Sequence, residues 1–143
     1  MEQMRAAASP IGLKVVPFRV PNASELEGSF RKITAARLRA VVVQPILATR
    51  EAGALGLHHH IVTMSEVRSF AEAGGLITYG ASYPEMYRKA AIYVDKILKR
   101  ARPADLPVEE PSKFELVINL RTAKALNVII PPALLTRDDQ VIE

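Results

Sequence analysis

The chain of 143 residues contains no cysteine and no tryptophan. Without thiolates there is no disulfide framework, no cysteine nucleophile and no cysteine-based metal site. The aromatic set is small, four phenylalanines and four tyrosines, which is little material for stacking nucleobases. A charge stripe of one sign is also missing. The net charge is +4, but 19 Lys and Arg are interleaved with 15 Asp and Glu through every segment. Nucleic-acid binding is therefore not indicated, and an excess of this size serves solubility. No apolar run is long enough to span a bilayer, and Pro10, Gly12 and Lys14 interrupt the N-terminal stretch where the apolar segment of an export signal would stand. As encoded, the chain is expected to stay in the cytoplasm.

What is present is the composition of an ordinary globular domain, 49% hydrophobic and 24% charged, with no low-complexity tract and no internal repeat. The β-rich stretch Leu13 to Val20 ends at Pro21-Asn22, a turn signal. Ser24 and Glu27 have the spacing of a capping box opening a helix with Leu26, Phe30 and Ile33 on one face. Arg39 to Pro45, "RAVVVQP", is a short continuous apolar run, the pattern of a central parallel strand covered on both faces. A helix over "ILATREAGALGL", weakened by Gly53 and Gly56, leads to a strand from His59 to Met64. Ser65 is placed to cap a helix "EVRSFAEA" that stops at Gly74-Gly75, and Leu76 to Gly80 is a further strand. Strands alternating with helices across short loops predict an α/β fold with a parallel sheet flanked by helices.

A second capping box, Ser82 with Glu85, opens the longest helix. Tyr83, Met86, Tyr87, Ala90, Val94, Ile97, Leu98 and Ala101 recur along it at helical spacing. "RPADLPVEEPSK" is a Pro-rich connector suited to a surface path. "FELVIN" follows as a strand, with Asn119 as a helix cap for "LRTAKAL", Asn127 as a left-handed stop, and a brief helical turn from Pro131-Pro132.

Motifs for chemistry are sparse. In "HHH" adjacent side chains alternate faces, so only His58 and His60 point together on a strand, and no carboxylate completes a ligand set; no metal is expected. "GASYPE" lacks the nucleophile-elbow pattern, and "EAGG" matches neither dinucleotide nor phosphate-loop glycine spacing, so no catalytic residues and no cofactor are assigned. Position offers more. In open parallel sheets ligands bind outside the carboxyl ends of the strands, which selects Gln44, Ser65, Glu66, Thr78 and Tyr79. Gln44, Ser65 and Thr78 offer neutral hydrogen bonds, Glu66 can pair an amine, and Tyr79 can stack or donate.

The succession "EAGGLITYG", "YRKAAIYVDKILKRARPADLPVEEPSKFELVINLRTAKALNVIIPPALL" and "DDQVIE" closely resembles the C-terminal part of the ABC transporter substrate-binding family, some of whose members bind tryptophan or tyrosine. "GLKVVPFRVPNASELEGSF" and "RLRAVVVQPILATR" resemble the run before that block. The resemblance implies a type I periplasmic binding protein-like fold, with two α/β lobes, a small-molecule solute in the cleft between them, an ABC permease as partner and no reaction performed. It divides the chain into a second-lobe α/β domain at 1–80, a first-lobe-type helix at 81–102, and a connector with a C-terminal strand-helix unit at 103–143. The family's chain begins with an export signal and most of the first lobe, so this one is expected to be an N-terminally truncated form. Where the family commonly carries Asp-Pro after its second strand, this chain has Gln44-Pro45.

Two further expectations follow. The apolar stripe of the Ser82 to Ala101 helix, left without a first lobe, is expected to form a homodimer. The alternative to an importer component is a small cytoplasmic ligand-sensing or self-associating domain; an enzyme would need a catalytic pair that the sequence does not supply.

Overall fold

A computed structural model describes residues 1–137 and 139–143. A mixed five-stranded sheet organises the chain, with strands in sequence order from one edge to the other. Helix α1 (Glu2–Ala8) and a 3₁₀ turn come first, then α2 (Leu26–Ala35), β1 (Ala40–Val42), α3 (Arg50–His58), β2 (Val62–Ser65), α4 (Ser69–Glu72) and β3 (Ile77–Ala81). The long helix α5 (Tyr83–Leu98), β4 (Phe114–Asn119), α6 (Leu120–Ala125), α7 (Pro132–Leu135) and β5 (Gln140–Ile142) complete it. β1, β2 and β3 are parallel neighbours, β4 returns antiparallel to β3, and β5 is parallel to β4. The expected α/β fold is therefore present.

Most of the core lies on one face of the sheet, with Ile118 of β4 fully buried on the other. Strand alternation points Val41, Val43, Thr63, Ser65, Thr78 and Val117 to the same side. There Val43, Ala52 and Phe70 form one buried cluster, while Leu26, Phe30, Ile33 and Ile61 form another with Phe18, Val20, Val41 and Leu55 around it. The opposite face is more open, with Val42 and Tyr79 about half exposed at 54% and 52%.

Several local expectations fail, each for a visible reason. Leu13 to Val20 forms no strand: Pro17 removes a donor from its middle, and the segment contributes only Phe18 and Val20 as apolar cover for the core. The "RAVVVQP" strand lies at the edge of the sheet and not at its centre. The triple histidine is no strand: His58 ends α3, His59 caps it, and His60 turns the chain with φ of 53°. His59 stacks on Phe30 and meets the Thr34 hydroxyl at 3.3 Å through Nδ1.

Ser65 is the last residue of β2 and caps nothing; the helix after it is only the single turn of α4, preceded by Arg68. The Ser24–Glu27 capping box does not form, since Ser24 donates to Asn22 and Glu27 faces Arg31. Ser82 does precede α5, but makes no side-chain cap, and Glu85 pairs with Arg88. Gly53 and Gly56 do not merely weaken α3. A Cβ on Gly56 would stand 2.5 Å from Thr63 Cγ2, so the glycine lets the helix lie close on β2.

Other expectations hold. Asn119 caps α6 by accepting from the Thr122 amide at 3.0 Å, and its Nδ2 donates to the Ala71 carbonyl at 2.8 Å. Asn127 stands at φ of 54° beyond that helix. α5 forms where its periodicity places it, yet none of its residues is buried. It is tied instead to the Pro-rich connector. Tyr93 donates to the Pro107 carbonyl at 2.7 Å and to Glu109 at 3.0 Å, and Lys89 lies 3.1 Å from Glu109.

Candidate functional site

The carboxyl ends of β1, β2 and β3 all lie on one edge of the sheet because the three strands are parallel. Val42 pairs with Met64, and Ser65 with Thr78, so the register carries Gln44, Glu66 and Tyr79 to one level on adjacent strand lines. Alternation directs Tyr79 to the open face, and Gln44 and Glu66 stand just beyond the ends of β1 and β2. Ser65 and Thr78, register partners of each other, point into the helix-covered face, each 1% exposed, with hydroxyl oxygens that have no hydrogen-bond partner among the described residues.

Glu66 and Tyr79 are brought together by a backbone contact. At Gly80 the missing side chain admits the Glu66 carbonyl, which would stand 2.0 Å from a Cβ there. Tyr79 in turn stacks on Phe114 of β4, ring centroids 5.8 Å apart and planes inclined by 22°. Glu66, Tyr79, Gly80, Tyr83, Met86 and Phe114 line an open cavity of about 340 Å³ between the sheet and the start of α5. Gln44 lines neither this cavity nor a smaller neighbouring one of about 210 Å³ beside Arg68, Glu72, Tyr83 and Glu115. Chemically, the larger cavity is lined by a glutamate and an aromatic pair, residue types suited to an ammonium group with an apolar or aromatic body.

Arg68 fixes the region from below. Its guanidinium lies 3.3 Å from Glu115 of β4, 3.6 Å from Glu72, and donates to Gln140 of β5. The neighbouring Ser82 hydroxyl, and then the pairing with Arg68, hold the Glu115 carboxyl below the ordinary glutamate range, against the opposing effect of burial. Near the connector, burial and then the neighbouring Glu109 push the Tyr93 phenol up, while Lys89 holds Glu109 down. Among the described residues no group of three or more His, Asp or Glu could hold a metal ion, and no helix is long and apolar enough to cross a membrane.

Sequence reasoning missed Phe114, Arg68 and Glu115 at this site. The one available signal was Gly80, an isolated glycine inside a strand, which marks close backbone approach.

Residues 1–142 match the family described as ABC transporter substrate binding protein. The chain belongs to that family. Among solved structures it is similar to the ABC domain from Streptococcus pneumoniae in complex with L-Trp, at 26% identity and a TM-score of 0.87, covering 99% of this chain and 49% of that one. It is also similar to a conserved domain protein from Vibrio cholerae, at 21% identity and a TM-score of 0.86, covering 98% and 48%. A ligand-free, open substrate binding protein with adhesive properties from Clostridium difficile matches at 18% identity and a TM-score of 0.71, covering 99% and 48%. The likeness to the last two shows the fold. The chain spans about half the length of these solved proteins. No curated protein matches it.

Proposed function

We propose that this member of the substrate-binding family serves as the solute-binding component of an ABC-type importer and takes an amino-acid-like solute. The observation that carries the reading is the juxtaposition of Glu66 with the Tyr79–Phe114 pair in one open cavity at the carboxyl ends of parallel strands. Glu66 would pair the solute's ammonium group and the aromatic pair would receive its side chain, while Gln44, outside the lining of the cavity, would reach only a solute that extends past Glu66. Ser65 and Thr78 support the floor from the packed side. The L-Trp bound by the pneumococcal protein is a solute of this chemistry.

On this reading residues 1–80 act as the solute-binding lobe, 81–102 as a helix of the other lobe's type, and 103–143 as connector and return unit. An ABC permease receives the solute on the outer side of the membrane. The chain's lack of tryptophan gives the test a clean signal, because indole fluorescence then comes from the solute alone. Titration of the chain into L-Trp is expected to raise the anisotropy saturably, with Glu66→Gln and Tyr79→Ala each weakening binding about tenfold, the loss of one charge-assisted contact. Binding unaffected by Glu66→Gln, Tyr79→Ala and Gln44→Ala rejects the site, and no response to any of a panel of L-amino acids by calorimetry rejects the solute class.

A specific observation favours a second role, self-association. α5 leaves Tyr87, Val94 and Leu98 at 73%, 55% and 79% exposure, so the apolar stripe beyond Met86 is largely uncovered. Pairing with α5 of a second copy about a two-fold axis would cover it. Sedimentation at low micromolar concentration should show a dimer that Met86→Glu or Val94→Glu dissociates; an unchanged monomer mass in all three proteins ends the idea.

A further inference from the structure

Arg68 stands two residues beyond Glu66, on the stretch that leads from β2 into α4, and it lines the smaller of the two cavities but not the larger. Each of its guanidinium nitrogens serves a different partner. Nε lies 3.6 Å from Glu72 in α4, Nη1 lies 3.3 Å from Glu115 in β4, and Nη2 donates to the side-chain oxygen of Gln140 in β5. The side chain thus reaches past β3, the neighbour of β2, to the next two strands of the sheet.

At that level β3 has no side chain in the way. Glu115 is the register partner of Gly80, Gln140 is that of Val117, and alternation puts all four on the helix-covered face with Thr78. The Glu66 backbone lies over Gly80 so closely that its carbonyl carbon and Cα would stand 2.9 and 3.1 Å from a Cβ there. The stretch carrying Glu66 therefore rests on β3 at a glycine and is strapped on the far side by Arg68.

A lone ion pair on a protein surface contributes little, because solvent screens it and two long side chains must be ordered. This one differs in two respects. The Glu115 side chain is only 12% exposed, and the planar guanidinium serves three groups at once, which a lysine ammonium on its flexible stem does not reproduce. Phe114, adjacent to Glu115, is the ring that stacks on Tyr79 in the larger cavity. One end of the strap is thus two residues from Glu66, and the other is one residue from Phe114.

We propose that Arg68 is a positioning residue for the larger cavity: by joining Glu72, Glu115 and Gln140 it fixes Glu66 relative to the Tyr79–Phe114 pair without itself meeting the solute. The proposal rests on the reading of that cavity as the solute site. α4 is anchored separately, through the Asn119 amide on the Ala71 carbonyl, so releasing the strap should loosen residues 66–69 and leave the helix attached.

The test uses the intact chain with L-Trp as the probe. Arg68→Gln is expected to weaken binding about fivefold, the size of a contact that acts through a neighbour. In the Glu66→Gln background the same substitution should cost about twofold or less, since a residue that acts by placing Glu66 then has little left to place. Arg68→Lys, which keeps the charge and loses the fork, should lose as much as Arg68→Gln. Glu115→Gln should weaken binding too, although its charge change has the opposite sign. A second arm needs no solute. In Arg68→Gln, residue-resolved hydrogen exchange should quicken about fivefold or more at Phe70 and Ala71, whose amides bond to the Val67 and Arg68 carbonyls, and stay unchanged at Leu76, which bonds to Thr63.

Full affinity in Arg68→Lys, or opposite shifts in Arg68→Gln and Glu115→Gln, overturns the proposal, because either reports charge and not the three-way contact. An undiminished loss in the Glu66→Gln background overturns it as well, being the mark of general destabilisation. If the unaltered chain ignores L-Trp, the solute reading fails and the exchange arm decides alone: quickened Phe70 and Ala71 amides support the strap, and unchanged ones show that it holds nothing. Should Arg68→Gln not fold, Arg68→Lys and Glu115→Gln carry both arms.

Discussion

The same substitution, glycine to alanine, should have opposite effects at Gly80 and Gly28. Alanine at either position narrows the unfolded ensemble, a gain of about 0.4–1 kcal/mol where the folded state accepts it. Gly28, in α2, has nothing within 4 Å of the new Cβ, so Gly28→Ala should keep that gain. At Gly80 the new atom meets the Glu66 carbonyl oxygen at 2.0 Å, against an ordinary contact of 3.4–4 Å. That oxygen belongs to the backbone and cannot rotate aside, so the exit of β2 or the strand β3 must move by over an ångström. Overpacking of this kind costs about 1–3 kcal/mol, which exceeds the gain and leaves a net loss of about 1–2 kcal/mol. For a chain of this size the loss lowers Tm by roughly 3–6 °C in thermal unfolding followed by circular dichroism. Because the displaced atoms carry Glu66 away from Tyr79, solute affinity should fall more than stability does. Equal shifts of the same sign in Gly28→Ala and Gly80→Ala would refute the claim that this contact shapes the site.

Asn119→Ala removes the cap of α6 and leaves the buried Thr122 amide and Ala71 carbonyl without their partner. Urea unfolding should register a loss of about 2–4 kcal/mol, and a loss below 0.5 kcal/mol, the level of an ordinary surface change, would contradict the assignment. Glu115 has a folded-state pKa below its ordinary value, so its contribution is present above the ordinary glutamate range and is lost as pH falls through the depressed value. Urea midpoints measured across the acid range should therefore fall less steeply for Glu115→Gln than for the unaltered protein; parallel curves would show that the Ser82 and Arg68 contacts contribute nothing to folding.

How much of this was legible beforehand depends on what each signal reports. Alternating strand and helix patterns report local chain preference, and the parallel β1, β2 and β3 with their helices appeared where the patterns placed them. Asn119 and Asn127 were legible because a cap and a left-handed stop are decided within a few residues. Leu13 to Val20 and the edge position of β1 were not. Strand propensity can be read from one segment, but pairing needs a second segment, and sequence pattern does not say which one arrives. The glycines of α3 were misjudged for a related reason: local propensity records their cost to the helix, whereas Gly56 is required by Thr63, a residue in the next strand. Position along the sheet selected five candidate residues, of which Glu66 and Tyr79 line one cavity. Phe114, more than thirty residues downstream of Tyr79, reaches it only through the antiparallel return of β4.

That return has a mechanical consequence. From Ile77 opposite Ile118 to Ala81 opposite Phe114, the outgoing and incoming chains run side by side over five consecutive pairs. The first two pairs are flanked by β2 and β5, and the last three, Tyr79 with Leu116 to Ala81 with Phe114, form a two-stranded ribbon that joins α5 and its connector to the sheet. Such ribbons twist readily about their own length, while shearing one strand along the other would break every cross-strand bond at once. A sideways slide of the long helix across the cavity would have to break that pairing, so Tyr79 of β3 and Phe114 of β4, which the register fixes against each other, keep their stacking whatever the helix beyond them does.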